Sequence, residues 1–194
     1  MKTLAIVQAR MGSTRLPNKV MRPILGVPMI ELLLDRLSQS ALVDGIVIAT
    51  SRDPGNKSLI EHIGSLGYES YQGSEDDVLD RYYHVAQQFA AETVVRITGD
   101  CPLVDPHIVD QGTSEFYSRQ VDYLSNTDPP TYPDGLDVEV FRFEALEQAW
   151  KMAKEPRERE HVTPYIRESG EFSRDSTRYH EDHSAKRWTV DEYV

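Results

Sequence analysis

The chain has 194 residues, of which 39% are hydrophobic and 27% are charged. This composition is typical of a globular protein and excludes a disordered or fibrous chain, and the length suits a single domain. With 21 Lys and Arg residues against 32 Asp and Glu residues, the formal net charge is -11. We expect no nucleic-acid partner, because binding a phosphate polymer requires clustered cations.

The N-terminal residues and the single cysteine limit the compartment and the chemistry. Residues 1–7 carry one lysine in a short apolar run, which is too short for a signal peptide or a membrane span. Cys101 is the only cysteine, so an intrachain disulfide and a cysteine-rich metal site are excluded. We therefore predict a cytoplasmic enzyme with no membrane contact, in which Cys101 is a small buried side chain.

The first half of the chain alternates short apolar runs with segments whose apolar residues recur at helical spacing. The predicted elements are strands at 3–7, 45–50, 68–71 and 93–98 and helices at 28–38, 56–66 and 77–90. This alternation predicts an α/β fold with a mostly parallel sheet covered by helices on both faces. Ligands of such sheets bind beyond the carboxyl ends of the strands, where the polar segments 8–19 and 99–106 follow two of them.

The second half is less regular. The predicted elements are helices at 106–117, 143–153 and 158–168 and strands at 122–125, 136–142 and 186–190. Residues 126–135 contain three prolines and no periodicity, so this loop is predicted to be a lid or a wall of a binding site.

The polar loop over residues 9–19 has the groups that a triphosphate requires. They are the cations Arg10, Arg15 and Lys19, the hydroxyls of Ser13 and Thr14, and Gly12, which lets the backbone approach a ligand closely. Asn18 precedes Lys19, so the loop is neither a Walker loop nor a GxGxxG motif. The alternative is a solvated basic loop.

This loop, QARMGSTRLPNKVM, resembles the signature of the cytidylyltransferases that make CMP-activated acidic sugars, among them the acylneuraminate and 3-deoxy-manno-octulosonate enzymes. The resemblance is greatest to the SpsF-type proteins of spore coat polysaccharide biosynthesis. Further matching segments follow in order along the chain: Gly73 with DVLDR at 77–81, RITGDCP at 96–102, DGLDVEVF at 134–141, EHVTP at 160–164 and RWTVDE at 187–192.

The resemblance implies a Rossmann-like three-layer αβα sandwich of the nucleotide-diphospho-sugar transferase type. It also implies CTP as donor, Mg²⁺ as cofactor, a small acidic or sugar-like acceptor and a homodimer. We expect one domain over residues 1–194, with a nucleotide-binding half at about 1–105 and an acceptor-binding half at about 106–194. Members of the family continue into a C-terminal helix, so we expect this chain to lack that helix and to be a truncated piece.

Two aspartates are predicted to bind the metal. Asp100 follows a predicted strand, and Mg²⁺ prefers one or two carboxylates together with phosphate and water oxygens. Asp191 ends the last predicted strand, and the resemblance assigns the second metal-binding role to it. The alternatives are a turn-forming role for Asp100 and a helix N-cap for Asp191.

Other side chains have two interpretations each. Asp137 and Glu139 share a strand face and either line the acceptor pocket or form the polar face of an edge strand. Arg96, in an apolar strand, either braces the site or pairs with an acid. His161 is expected to face the acceptor, whereas His180 with His183 suggests a solvated loop more than a metal site. The acids at 76, 77 and 80 suit the start of a helix.

The predicted reaction is attack by an acceptor oxygen on the α-phosphate of CTP, which releases pyrophosphate. The predicted catalytic groups are Lys19, Arg10, Arg15 and Asp100. The predicted nucleotide-binding residues are Ala9, Arg10, Gly12, Ser13, Arg15, Lys19, Gly73, Arg81 and Asp100. The alternatives are a glycosyltransferase, which the absence of an Asp-x-Asp motif at Asp100 disfavours, and an inactive nucleotide-binding domain of a larger enzyme.

Overall fold

A seven-stranded β-sheet lies at the centre of the structure, a computed structural model that describes residues 2–192. In chain order the elements are β1 (Thr3–Gln8), β2 (Pro23–Ile24), β3 (Val27–Pro28), α1 (Met29–Leu37), β4 (Gly45–Ser51), α2 (Lys57–Ser65), β5 (Glu69–Gly73), α3 (Val78–Gln88), β6 (Thr93–Thr98), α4 (Pro106–Arg119), β7 (Tyr123–Ser125), β8 (Glu139–Arg142), α5 (Phe143–Met152), α6 (Pro156–His161), α7 (Pro164–Glu168) and β9 (Arg174–Ser176). Short 3-10 turns lie at Lys19–Met21 and Pro54–Asn56.

The strand order is β5-β4-β1-β6-β8-β7-β9. Strands β5, β4, β1 and β6 are parallel, β8 is antiparallel to both β6 and β7, and β7 pairs with β9 in parallel. The predicted α/β fold with a mostly parallel sheet is therefore confirmed. Because β1 and β6 are parallel neighbours, the two predicted site segments that follow them emerge at the same edge.

Helices cover both faces of the sheet, which confirms the three-layer arrangement. On one face, α1, α2 and α4 pack against Val7 and Ile48; on the other, α3, α5 and α7 pack against Ile6. These helices pack on the sheet because their apolar residues recur at helical spacing and so share one face. In α1, for example, Leu33, Leu34 and Leu37 are each 0% exposed. Burying each such side chain stabilises the fold by about 1.5–3 kcal/mol.

Two helices begin at aspartates that the sequence places there. The Asp77 carboxylate accepts a hydrogen bond from the Asp80 backbone N–H at 2.9 Å at the start of α3. Asp105 accepts one from the His107 N–H at 2.8 Å before α4. Each carboxylate satisfies a backbone donor that has no partner within the helix.

Three predictions in the second half were wrong in part. The single helix predicted at 158–168 is two short helices, because Pro164 lacks an N–H and starts a new helix, and Val162 before it has a φ of 71°. The strand predicted at 186–190 is absent; only an isolated bridge joins Asp134 to Arg187. The strand predicted from 136 begins at Glu139, and β9 was not predicted.

Over residues 2–192, no helix has both the length and the apolar character that crossing a bilayer requires.

Candidate active site

A cavity of about 690 Å³ opens at the edge of the sheet where β1 and β6 end. Its volume lies within the range of small-molecule sites, about 300–1,000 Å³. Every predicted site residue except Gly73 lines it, namely Ala9, Arg10, Gly12, Ser13, Arg15, Lys19, Arg81, Asp100 and Asp191. The tertiary structure therefore brings together groups that lie up to 182 positions apart in the sequence.

The buried side chain of Asn56 holds the loop after β1 in place. The Met11 N–H donates to Asn56 Oδ1 at 2.8 Å, and Asn56 Nδ2 in turn donates to the Ser51 carbonyl at 3.1 Å. The buried Leu16 side chain anchors the middle of the loop. The sequence indicated only a helix start at Asn56, so this support was not foreseen.

Gly99 allows the carboxyl ends of strands β1 and β6 to lie close together. Its N–H donates to the Gln8 carbonyl at 2.9 Å, and a Cβ here would lie 2.8 Å from that same oxygen. The next residue, Asp100, then meets Lys19, with 2.8 Å between Lys19 Nζ and Asp100 Oδ2. Burial opposes ionisation of Asp100, but the hydrogen bond and charge of Lys19 outweigh it and hold the pKa of Asp100 below its ordinary value.

The C-terminal segment brings Asp191 to the same cavity. Arg15 Nη1 lies 3.0 Å from Asp191 Oδ2, and Arg187 Nη2 lies 2.5 Å from Asp191 Oδ1. The Val190 N–H donates to the Asp100 carbonyl at 2.9 Å. The segment is thus held by backbone bonds to Asp134 and to the Asp100 turn and by ion pairs, although it forms no strand.

Arg187 also lines the cavity, a role that the sequence did not indicate. Besides Asp191 it contacts Asp134, with 3.5 Å between Arg187 Nη1 and Asp134 Oδ2. Close packing fixes this pair, since Gly135 has a φ of 105° and a Cβ there would lie 2.8 Å from the Trp188 carbonyl carbon. Arg187 lies in the segment RWTVDE, which matches the family pattern, and this match could have indicated a place for it in the site.

Gly73 and Arg81 brace the cavity in a way the sequence did not indicate. Arg81 is 3% exposed, and its guanidinium donates to the carbonyls of Ser74 and Glu75. A Cβ on Gly73 would lie 2.6 Å from Arg81 Cγ, so glycine leaves room for this side chain. Burial lowers the pKa of Arg81. The braced turn presents Glu75 to Arg10, with which it forms an ion pair.

Arg96 and Glu139 form a buried ion pair between β6 and β8. Glu139 is 5% exposed and also accepts hydrogen bonds from the Tyr123 hydroxyl at 2.6 Å and the Thr163 hydroxyl at 2.7 Å. Burial disfavours the carboxylate, but Arg96 and these donors outweigh it and lower the pKa of Glu139. The prediction that Arg96 pairs with an acid is confirmed.

A second cavity of about 230 Å³ adjoins the first. The two share four lining residues, Arg96, Thr98, Asp137 and His161. Beyond these the second cavity is lined by Thr127, Glu139, Thr163 and Arg167. Asp137, Glu139 and His161, for which the acceptor pocket was one interpretation of the sequence, thus lie together beside the predicted nucleotide site.

Asp137 differs from the carboxylates of Asp100, Asp191 and Glu139. Within residues 2–192 its carboxylate has no hydrogen-bond or ion-pair partner. Burial, together with the negative charges of Asp134 and Glu139, raises the pKa of Asp137 to about 6.

The raised pKa predicts that ionisation of Asp137 opposes folding. The folded protein retains this proton over about pH 4–6, where the unfolded chain has lost it, so stability falls as the pH rises through this window. At pH 8 Asp137→Asn is expected to be more stable than the unchanged protein. This stability difference should exceed the one at pH 4 by up to about 3 kcal/mol. Urea unfolding at both pH values measures this. A pH-independent difference, like that expected of the exposed Asp35→Asn control, would contradict it.

The remaining candidates do not form a site. Cys101 is buried as predicted, and burial raises the pKa of its thiol. His180 and His183 lie near Glu181 at 3.7 and 3.5 Å. In the part of the chain that the structure describes, no three His, Cys, Asp or Glu side chains are grouped so as to hold a metal.

A mostly parallel sheet with a cationic loop and two carboxylates at its carboxyl edge is typical of α/β proteins that bind nucleotides. The family model described as cytidylyltransferase matches residues 4–193. The chain therefore belongs to the cytidylyltransferase family, whose members are nucleotidyltransferases.

Three known proteins are similar to this chain. A cytidylyltransferase structure from Leptospira borgpetersenii has a TM-score of 0.94 at 32% identity, over 98% of this chain and 82% of that one. The spore coat polysaccharide biosynthesis protein SpsF of Bacillus subtilis is 36% identical over 84% of this chain and 69% of its own length. An uncharacterized protein of Methanocaldococcus jannaschii is 43% identical over 87% of this chain and 68% of its own. The predicted similarity to SpsF is thereby confirmed.

Proposed function

We propose that this protein transfers the cytidylyl group of CTP to an oxygen of a small acidic or sugar-like acceptor, giving a CMP-conjugate and pyrophosphate. The observation that carries the proposal is that three cations of one loop and two carboxylates from distant segments line the same cavity in a cytidylyltransferase. The similarity to SpsF favours a role in surface polysaccharide synthesis.

Arg10, Arg15 and Lys19 are proposed to bind the triphosphate. In this structure each is paired with a carboxylate, respectively Glu75, Asp191 and Asp100. Phosphate oxygens can take the place of these carboxylates, and the two arginines can bind them bidentately. Phosphoryl transfer is catalysed chiefly by positioning and by neutralising charge, so these cations would stabilise the departing pyrophosphate.

Asp100 and Asp191 are proposed to hold Mg²⁺. Two carboxylates on one cavity fit the preference of Mg²⁺ for one or two protein carboxylates, with phosphate and water filling the other positions. A bound Mg²⁺ would polarise the α-phosphate. Carboxylates taken up by the metal would free Arg15 and Lys19 for phosphate.

The second cavity is proposed as the acceptor site, since it adjoins the nucleotide cavity and is lined by hydroxyls and charged groups. Arg167 suits an acidic acceptor there, because its Nε is buried without a hydrogen-bond partner among residues 2–192. We further propose a cytoplasmic homodimer that binds neither nucleic acid nor membrane.

Pyrophosphate release tests the proposal. The protein is incubated with CTP, ATP, GTP or UTP and with 3-deoxy-manno-octulosonate or N-acetylneuraminate as acceptor. We expect the rate of pyrophosphate release with CTP to exceed the rates with the other nucleotides by about 10-fold or more, the order of discrimination that a few specific hydrogen bonds provide. We also expect EDTA to abolish the release.

Two outcomes would contradict the proposal. Transfer of sugar from a nucleotide-sugar, without pyrophosphate, would indicate a glycosyltransferase. Binding of CTP in calorimetry without turnover would indicate an inactive nucleotide-binding domain.

A further inference from the structure

Asp137 stands where the two cavities meet. It lines both the 690 Å³ and the 230 Å³ cavity, and it lies two residues before β8, which pairs with β6. If CTP occupies the first cavity and the acceptor the second, the reacting atoms meet at the shared wall. This position rests on the proposed function.

Three other carboxylates of the site, Asp100, Asp191 and Glu139, are occupied, and the exposed Glu160 lines only the first cavity. Asp100 and Asp191 are held by Lys19 and Arg15. The oxygens of Glu139 accept hydrogen bonds from three donors, and the residue is 5% exposed. Within the described chain Asp137 is the cavity carboxylate at this junction with both oxygens free to accept a proton.

We propose that Asp137 is the general base of the transfer reaction. Its carboxylate accepts the proton of the acceptor hydroxyl while the oxygen lone pair forms the bond to the α-phosphorus of CTP. The bond from that phosphorus to the bridging oxygen breaks, and its electron pair leaves with pyrophosphate. The carboxylic acid so formed returns its proton to water when the products depart.

The surroundings of Asp137 suit this role. Burial and the charges of Asp134, Glu139 and Asp100 favour the protonated form, whereas Arg96 favours the carboxylate. A base held near the working pH combines a sufficient ionised fraction with proton affinity. His161 is exposed, lines the same junction and is the rival base.

The test compares pH–rate profiles of pyrophosphate release from CTP. The acceptor is whichever of water, 3-deoxy-manno-octulosonate and N-acetylneuraminate gives the highest rate with the unchanged protein, so a readout exists even when neither sugar reacts. We expect kcat/KM of the unchanged protein to fall below about pH 6, since Asp137 must be ionised. Asp137→Asn is expected to lower kcat by about 10²–10⁴-fold and to remove this acid limb, with CTP affinity by calorimetry unchanged.

Two variants complete the test. Asp35→Asn, an exposed position on α1, is the matched control and should keep both the rate and the profile. His161→Gln should keep the acid limb. A kcat of Asp137→Asn within about threefold of the unchanged protein, or an acid limb lost in His161→Gln and kept in Asp137→Asn, would overturn the assignment of the base alone. No pyrophosphate release from the unchanged protein would overturn the proposed function and this inference with it.

Discussion

Replacing Lys19 with alanine is expected to lower the turnover of CTP by about 10²-fold or more, the scale of a lost transition-state stabiliser. Lys19 is the least exposed of the three loop cations, at 16% for its side chain against 44% for Arg10 and 64% for Arg15. A charge in so sheltered a position acts on the phosphates with little screening by water. Asp100→Asn should have a loss of the same order, since it removes a proposed metal ligand.

Steady-state pyrophosphate release measures both effects, and circular dichroism checks that the variants fold. Lys57→Ala provides the matched control, because Lys57 is 80% exposed on α2 and contacts only Glu61 among the described ion pairs. We expect the control to keep its full rate. Near-normal turnover in Lys19→Ala or Asp100→Asn would contradict the assignment of the cavity as the catalytic site.

Replacing Arg96 with methionine is expected to lower the free energy of unfolding by about 3–5 kcal/mol, because it leaves a buried carboxylate without its counter-ion. Glu139 is 5% exposed and depends on Arg96 for charge neutralisation, whereas Tyr123 and Thr163 supply only hydrogen bonds. The large loss of stability is expected because the Glu139 carboxylate is buried; breaking an exposed ion pair would cost much less.

Urea unfolding at pH 7 measures this loss. In the matched control, Arg157→Met, the broken pair with Glu168 is exposed, at 58% and 52%, so the free energy of unfolding should change little. The double change Arg96→Met with Glu139→Gln removes the unpaired charge and should recover part of the stability. An equal loss in the two single variants would show that burial of Glu139 has no special cost.

Most of the first half could be predicted from sequence because its elements are local. The buried strands β1, β4 and β6 are short apolar runs, and α1 and α3 show apolar residues at helical spacing. These patterns determine the type and approximate limits of each element. Parallel connection through helices then follows from their alternation.

The second half depended on contacts that no local pattern encodes. Residues 186–190 have strand-like composition but form a single bridge, because the segment is held by side-chain ion pairs and by backbone bonds at two separate points, Asp134 and Asp100. Val162, with its positive φ, interrupts what the apolar spacing indicated as one helix. In both places a tertiary contact or a backbone restriction overrides the periodicity.

For the site, the sequence by itself determined the chemical groups: a cationic glycine-containing loop after the first strand, and aspartates at 100 and 191. Only the tertiary structure decided how those groups are neutralised and which other residues join them. The structure alone showed that Glu75 and Arg187 form ion pairs in the site and that the carboxylate of Asp137 is free. The physical reason is that charge pairing and burial depend on distances across the fold, whereas sequence spacing determines only the position of a residue within its own element.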